Sequence, residues 1–242
     1  MNLAPATDIN SSHPATSWLW GMLQSGDSFY PTGSYAHSFG LESLVTEGVV
    51  HDVATLREFL SVAMLPMLES SDLPIVAHAW WAFHHGDWAA IERLCLLASA
   101  LRPAQEARLA SENIGRQRTE LVARLYPDSV AAEFHRRVQA ANWPACSAVA
   151  AALEASVMGA PLAAAMISYG YSNLAGLVAA AMKLMRIGQN SAQTLLHEAL
   201  SQLPAAIECA QAVPEDEIGW SNPWLDIAQA RHEHADARMF IS

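Results

Sequence analysis

The sequence predicts an all-α, single-domain bundle of about ten helices. Three observations carry that expectation: apolar residues recur at helical spacing, capping and breaking residues punctuate the chain, and strand-like alternation is nearly absent. The 242 residues suit one large domain with a substantial core, and no linker-like stretch divides the helical segments.

Residues 1–16 are polar and proline-containing, with no basic residue and no apolar block, so they are expected to be a disordered tail and not a signal peptide; residues 17–242 then form the domain. Thr55–Leu68 places Leu56, Phe59, Leu60, Ala63 and Met64 at helical spacing. Asp72 ahead of Leu73-Pro74 is expected to cap a new helix, because proline lacks the donor that a first turn leaves unpaired. That helix should stop at Gly86, and Asp87 should cap the next, which ends near Leu101 because Pro103 follows. Pro103 to about Tyr126 reads as a long helix with a charged, solvated face made by Glu106, Arg108, Glu112, Arg116 and Glu120. Ser129–Ala140, Pro144–Met158 and Pro161–Met185 follow as three more. Ser191 is expected to cap a helix to about Gln202, with Pro204 starting another, and the acidic Pro214–Glu217 forms a loop. Asn222-Pro223 is a cap-plus-first-turn signature that opens a final helix running from Trp224 into the C-terminal tail.

Between Glu154 and Lys183 there is no charge, and Pro161–Met182 is long enough to cross a bilayer. Its alanine and glycine content, with Tyr169, Tyr171, Ser172 and Asn173 at its middle, favours a buried core helix over a membrane span. A formal charge of −11, with 13 basic residues and no basic run longer than two, argues against nucleic acid as a partner. Hydrophobic residues make up 52% of the chain and charged ones 15%, a balance that often leaves an apolar face for a partner to cover. Cys95, Cys146 and Cys209 are far apart and odd in number, so neither a zinc ribbon nor a disulfide framework is indicated and a reducing compartment fits.

Ten histidines raise the question of a metal site. His197-Glu198 begins like the H-E-x-x-H helix of zinc hydrolases, but position 201 is serine, so the second ligand one turn on is missing. His84 and His85 are neighbours at a helix end, where the dipole favours them. His232-Glu233-His234 is the densest ligand-capable group; on a helix the two imidazoles diverge, and surface or interface residues are the simpler reading. No phosphate-binding glycine loop and no nucleophile elbow occurs.

Pro31–Glu42 (Pro-Thr-Gly-Ser-Tyr-Ala-His-Ser-Phe-Gly-Leu-Glu) differs from its surroundings. Gly33 and Gly40 permit backbone angles closed to other residues, and Tyr35, His37 and Phe39 offer large faces. Two readings fit equally: a turn that enters a helix at Leu41, or a shaped surface for a partner.

That segment resembles the P-x-G-x-[YF]-x-x-S-x-G-L-E signature of the urease accessory protein F (UreF) family. The likeness continues in order through Leu101–Arg108 with Gly115-Arg116, through Lys183-Leu184-Met185-Arg186-Ile187-Gly188-Gln189, and to Arg231-His232-Glu233 with Arg238-Met239-Phe240-Ile241-Ser242. His37 stands where many members have an aromatic, and Asp236 stands where the tail often has tyrosine. The resemblance implies an all-helical, cytoplasmic homodimer that is not an enzyme and holds no cofactor of its own. It implies that the chain binds UreD (also called UreH), that together they recruit the GTPase UreG, and that nickel is thereby delivered to apo-urease. Carried over position by position, Tyr35 and Arg238 match residues tied to assembling the UreG-recruiting complex. Glu42 and Lys183 match residues linked to coupling GTP hydrolysis to metal insertion, and a pairing of these two across a groove is expected. His37, Ser38, Gly188, Gln189, His232, Glu233 and Phe240 complete the expected partner-binding set, with no catalytic or metal residue among them. The alternatives are a helical nickel-binding protein that uses its histidines and a helical hydrolase, for which the sequence offers no nucleophile.

Overall fold

The computed structural model describes residues 17–33, 37–233, 235 and 238–241. Ten helices follow one another, with no strand among the described residues. They are α1 (Ser17–Ser25), α2 (Leu41–Thr46), α3 (Val53–His85), α4 (Trp88–Ala100), α5 (Gln105–Leu125), α6 (Val130–Ala141), α7 (Ser147–Met158), α8 (Leu162–Leu184), α9 (Gln189–Ala212) and α10 (Pro223–His232). The expected disorder of residues 1–16 lies outside the described residues, as do Tyr35, His234 and Asp236.

Local chemistry sets most of the boundaries. The Asp52 side chain accepts from the Thr55 amide at 2.8 Å while the Thr55 hydroxyl oxygen accepts from the Asp52 amide, a reciprocal cap that starts α3. Gly86, in the left-handed region at φ 65°, ends that helix, and Asp87 accepts from the Ala90 amide to start α4. Asn222 caps α10 as read from the sequence, and Ser129, read as the first residue of its helix, caps α6 in the same manner.

Asp72 does not cap a new helix. It lies in helical conformation inside α3, which runs on without interruption. The helix widens into π-type turns at Leu60–Met64 and Leu68–Asp72, on either side of Pro66, whose ring crowds the carbonyl one turn back. Pro74 deprives the Ser70 carbonyl of its usual donor, and the Gly219 amide supplies a replacement at 3.0 Å. With its backbone so placed, Asp72 turns its carboxylate inward. Arg102 donates to both oxygens at 2.7 and 3.0 Å and the Tyr169 hydroxyl to one at 2.8 Å.

Two further boundaries depart from the sequence reading. The segment read as two helices, one capped by Ser191 and one begun by Pro204, is the single helix α9, which starts behind Gly188 and carries Pro204 inside it. Leu195, Leu196, Ala199, Leu203, Ala206, Ile207 and Ala210 form one buried face through the proline, and their packing outweighs a cost of about 3 kcal/mol. Helix α7 starts at Ser147, three residues beyond Pro144, because the chain stays extended where it crosses α5 at Gly115. The acidic Pro214–Glu217 stretch contains a short 3-10 turn, Glu215–Glu217, held by Arg93 at 2.9 Å.

The core lies around α7, whose Ala148, Val149, Ala150, Ala152, Leu153, Glu154 and Ala155 are all buried. Its alanines let α1, α3, α4, α5, α6 and α8 approach from different sides. Helices α3 and α8 are long and apolar enough to cross a membrane; the most apolar stretch of α3 is 67% buried inside the fold and that of α8 is 39% buried. On α8, Met166, Tyr169, Leu174, Leu177 and Val178 face the core, whereas Ile167 and Tyr171 are exposed, so only one face of it is the buried core helix read from the sequence.

Candidate functional site: a C-terminal clasp

The short helix α2 begins behind a tight turn in which Phe39 (φ 53°) and Gly40 (φ 91°) are both left-handed. Gly40 is required twice over. A side chain there would be strained at that φ, and its Cβ would stand 2.9 Å from Gln229 Cγ and 3.1 Å from Leu225 Cδ1 on α10. The Gln229 side-chain amide donates to the Phe39 carbonyl at 3.2 Å, so α10 is seated on this turn. The Glu42 amide in turn donates to Ser38 Oγ at 3.4 Å.

Glu42, in the first turn of α2, is buried together with His232 and Phe240. Its carboxylate accepts from the Met239 amide at 2.6 Å and the Phe240 amide at 3.0 Å, and it faces His232 Nε2 at 2.9 Å. Burial alone would raise its pKa, but the bonds from His232, Met239 and Phe240 outweigh burial and hold it below the ordinary value. The opposite nitrogen of His232, Nδ1, lies 2.7 Å from Glu106 Oε2 on α5. A carboxylate faces each ring nitrogen, so the imidazole bridges Glu42 and Glu106. Glu106 Oε1 accepts from Arg238 at 2.5 Å.

The end of the chain is thus folded back and gripped by two carboxylates from helices far apart in sequence. Phe240 is buried against the body, with Lys183 Nζ 5.3 Å from its ring centroid. Arg231 pairs with Glu47 at 2.9 Å on the outer side of α10. His37 is buried, with its ring centroid 5.9 Å from that of Phe39; burial lowers its pKa, and Glu106 opposes that shift.

The structure brings Ser38, Glu42, Lys183, His232, Arg238 and Phe240 to this one place. It changes their roles in three respects. His232 is not a surface residue: at 1% exposure it acts through Glu42 and Glu106. Glu42 and Lys183 form no ion pair among the described residues and meet instead through Phe240, whose amide binds one and whose ring lies under the other. Glu106, read from the sequence as part of a solvated helix face, is an anchor of the tail, while Glu120 and Arg124 on the same helix do pair at the surface. Gly188 and Gln189 stand exposed at the start of α9, and Glu233 is exposed at the end of α10; none of the three bonds to the clasp among the described residues. Tyr35 lies outside the described residues.

Other polar groups serve the fold. Arg118 and the Tyr30 hydroxyl both bond to buried Glu154, joining α5, α7 and the segment after α1. His84 and His85 donate through Nδ1 to the carbonyls of Trp80 and Trp81 at 2.9 and 2.8 Å, as helix-terminal residues do. No group of three or more His, Cys, Asp or Glu side chains among the described residues is arranged to hold a metal.

Comparison with known proteins identifies the family of the chain. The family model UreF matches residues 50–200. The urease accessory protein UreF of Arthrobacter sp. (strain FB24) is 32% identical over 94% of this chain and 99% of its own length. That of Bacillus sp. (strain TB-90) is 29% identical over 93% and 99%. The urease accessory protein UreF 2 of Brucella abortus (strain 2308) is 30% identical over 100% and 99%. The chain therefore belongs to the UreF family of urease accessory proteins.

Proposed function

We propose that this chain is a cytoplasmic, non-enzymatic adaptor in urease maturation that uses its clasped C-terminus as a docking surface. With UreD/UreH it recruits the GTPase UreG and modulates GTP hydrolysis while nickel, the cargo, is delivered to apo-urease. The observation that carries the reading is the division of labour in the tail. Glu42, His232 and Phe240 are buried and hold it in place, while Arg238, Met239 and Ile241 remain exposed on it at the surface. An arginine beside apolar side chains, held on an ordered backbone, suits a protein interface because little entropy is left to lose on binding.

A homodimer accords with the apolar surface left over elsewhere. Ile167 and Tyr171 are exposed on α8, and Leu19, Trp20 and Leu23 on α1. Gly188 and Gln189, exposed at the start of α9, and Lys183 beside the clasp are assigned to the same partner surface.

Co-expression with UreD/UreH and UreG tests the docking reading. Arg238→Ala is expected to leave far-UV circular dichroism unchanged while reducing co-purified UreD/UreH or UreG at least tenfold, a loss of ~1.4 kcal/mol or more, as for a truncated interface arginine. Wild-type recovery of both partners with Arg238→Ala would overturn it.

A further inference from the structure

We propose that Glu106, on α5, is a positioning residue for Arg238 and closes a ring of contacts that fixes the tail's outer face. The ring is read directly from the contacts. Glu106 Oε1 accepts from Arg238 at 2.5 Å, and its Oε2 lies 2.7 Å from His232 Nδ1. His232 Nε2 lies 2.9 Å from Glu42 Oε2, and Glu42 Oε1 accepts from the Met239 amide at 2.6 Å. Met239 follows Arg238 in the chain, so the circuit is complete. Two carboxylates, one on α2 and one on α5, are held apart by the width of one imidazole, and they grip adjacent residues of the tail.

The geometry separates the two anchors by task. Glu42 binds backbone amides of the tail and determines where the chain runs. Glu106 binds a side chain and determines where the guanidinium points. The Arg238 side chain stays 40% exposed, and Glu106 takes one of its nitrogens, which leaves further donors of the planar group for an acceptor on a partner. His232 transmits the constraint between the carboxylates and is itself 1% exposed, so no partner touches it in this arrangement. His37 lies near Glu106, Lys183 lies over Phe240, and Arg231 is engaged by Glu47, so neighbouring charges add to the ring without replacing a member of it.

Glu106→Gln in the full-length chain is the informative variant. A glutamine keeps the shape but removes the charge, so the charge-assisted bond from Arg238 is lost or weakened to one with a neutral acceptor. Exchange of the Met239 and Phe240 amides, measured on the isolated chain, is expected to accelerate ~10-fold, the effect of losing one charge-assisted hydrogen bond, with circular dichroism unchanged. Capture of UreD/UreH and UreG, the part of the inference that rests on the docking reading, is expected to fall with Glu106→Gln and with Arg238→Gln. The double variant should then be no worse than either single one, because the two residues act as a unit.

Unaltered amide exchange in Glu106→Gln, or penalties that add in the double variant, would overturn the positioning role. Should Glu106→Gln fail to fold, Arg238→Gln reads the same contact from the surface side. Faster exchange at Met239 and Phe240 then supports the ring, and unaltered exchange contradicts it. Faster exchange with capture intact would support the positioning role and reject the docking reading, so the two ideas fail separately.

Discussion

At the scale of single residues, Glu42 shows how a buried charge is made tolerable. Three donors converge on it, two of them backbone amides of the tail, and together they offset the loss of solvation. Because its folded pKa lies below the ordinary value, the stability it contributes is fully present above the ordinary carboxylate range. That stability is lost as pH falls through the lower folded value. Glu42→Gln is expected to cost about 2 kcal/mol near neutral pH in urea-unfolding experiments, in line with a charged hydrogen-bond acceptor. The gap between variant and wild type should close as the pH is lowered below that range; a gap independent of pH would contradict the charge-based account. The sequence singled out Glu42 through its family position, but not its task. Its partners sit 190 and more residues away, and no local pattern links them.

At the scale of elements, the sequence was most legible where the chemistry is local. Asp87 and Asn222 cap the helices read for them, Ser129 caps a helix read to start at it, and Gly86 ends α3, because each choice is decided within one turn. Asp72, Pro74 and Pro204 misled for a tertiary reason. A carbonyl robbed of its donor found the Gly219 amide, and a buried face continued across a proline. Gly115 is the counterpart on α5: a Cβ there would lie 1.8 Å from the Ala145 carbonyl oxygen, so the extended approach to α7 requires glycine. Gly115→Ala is expected to destabilise the fold by about 3 kcal/mol, the upper end for overpacking, because backbone and not a flexible side chain stands in the way. A melting curve within error of the wild type would show that the crossing gives way more easily than the geometry says.

At the scale of the whole molecule, the all-helical architecture followed from periodicity and the absence of strand patterns, and the one-domain core around α7 bears out that reading. The candidate site was legible in part. Glu42, Lys183, His232, Arg238 and Phe240 were among the eleven residues that the family resemblance named, yet Glu106 was hidden among the alternating charges of α5, where an anchor and a solvated residue look alike. Only the return of the tail across α5 and α2 distinguishes them. A chain ending at Ala235 removes Arg238, Met239, Phe240 and Ile241 while keeping every helix, and it tests the central claim most directly. Co-purified with UreD/UreH and UreG, it should retain the helical signal of the full chain and lose both partners. Recovery of both partners at full-chain levels would contradict the assignment of the clasped tail as the docking surface.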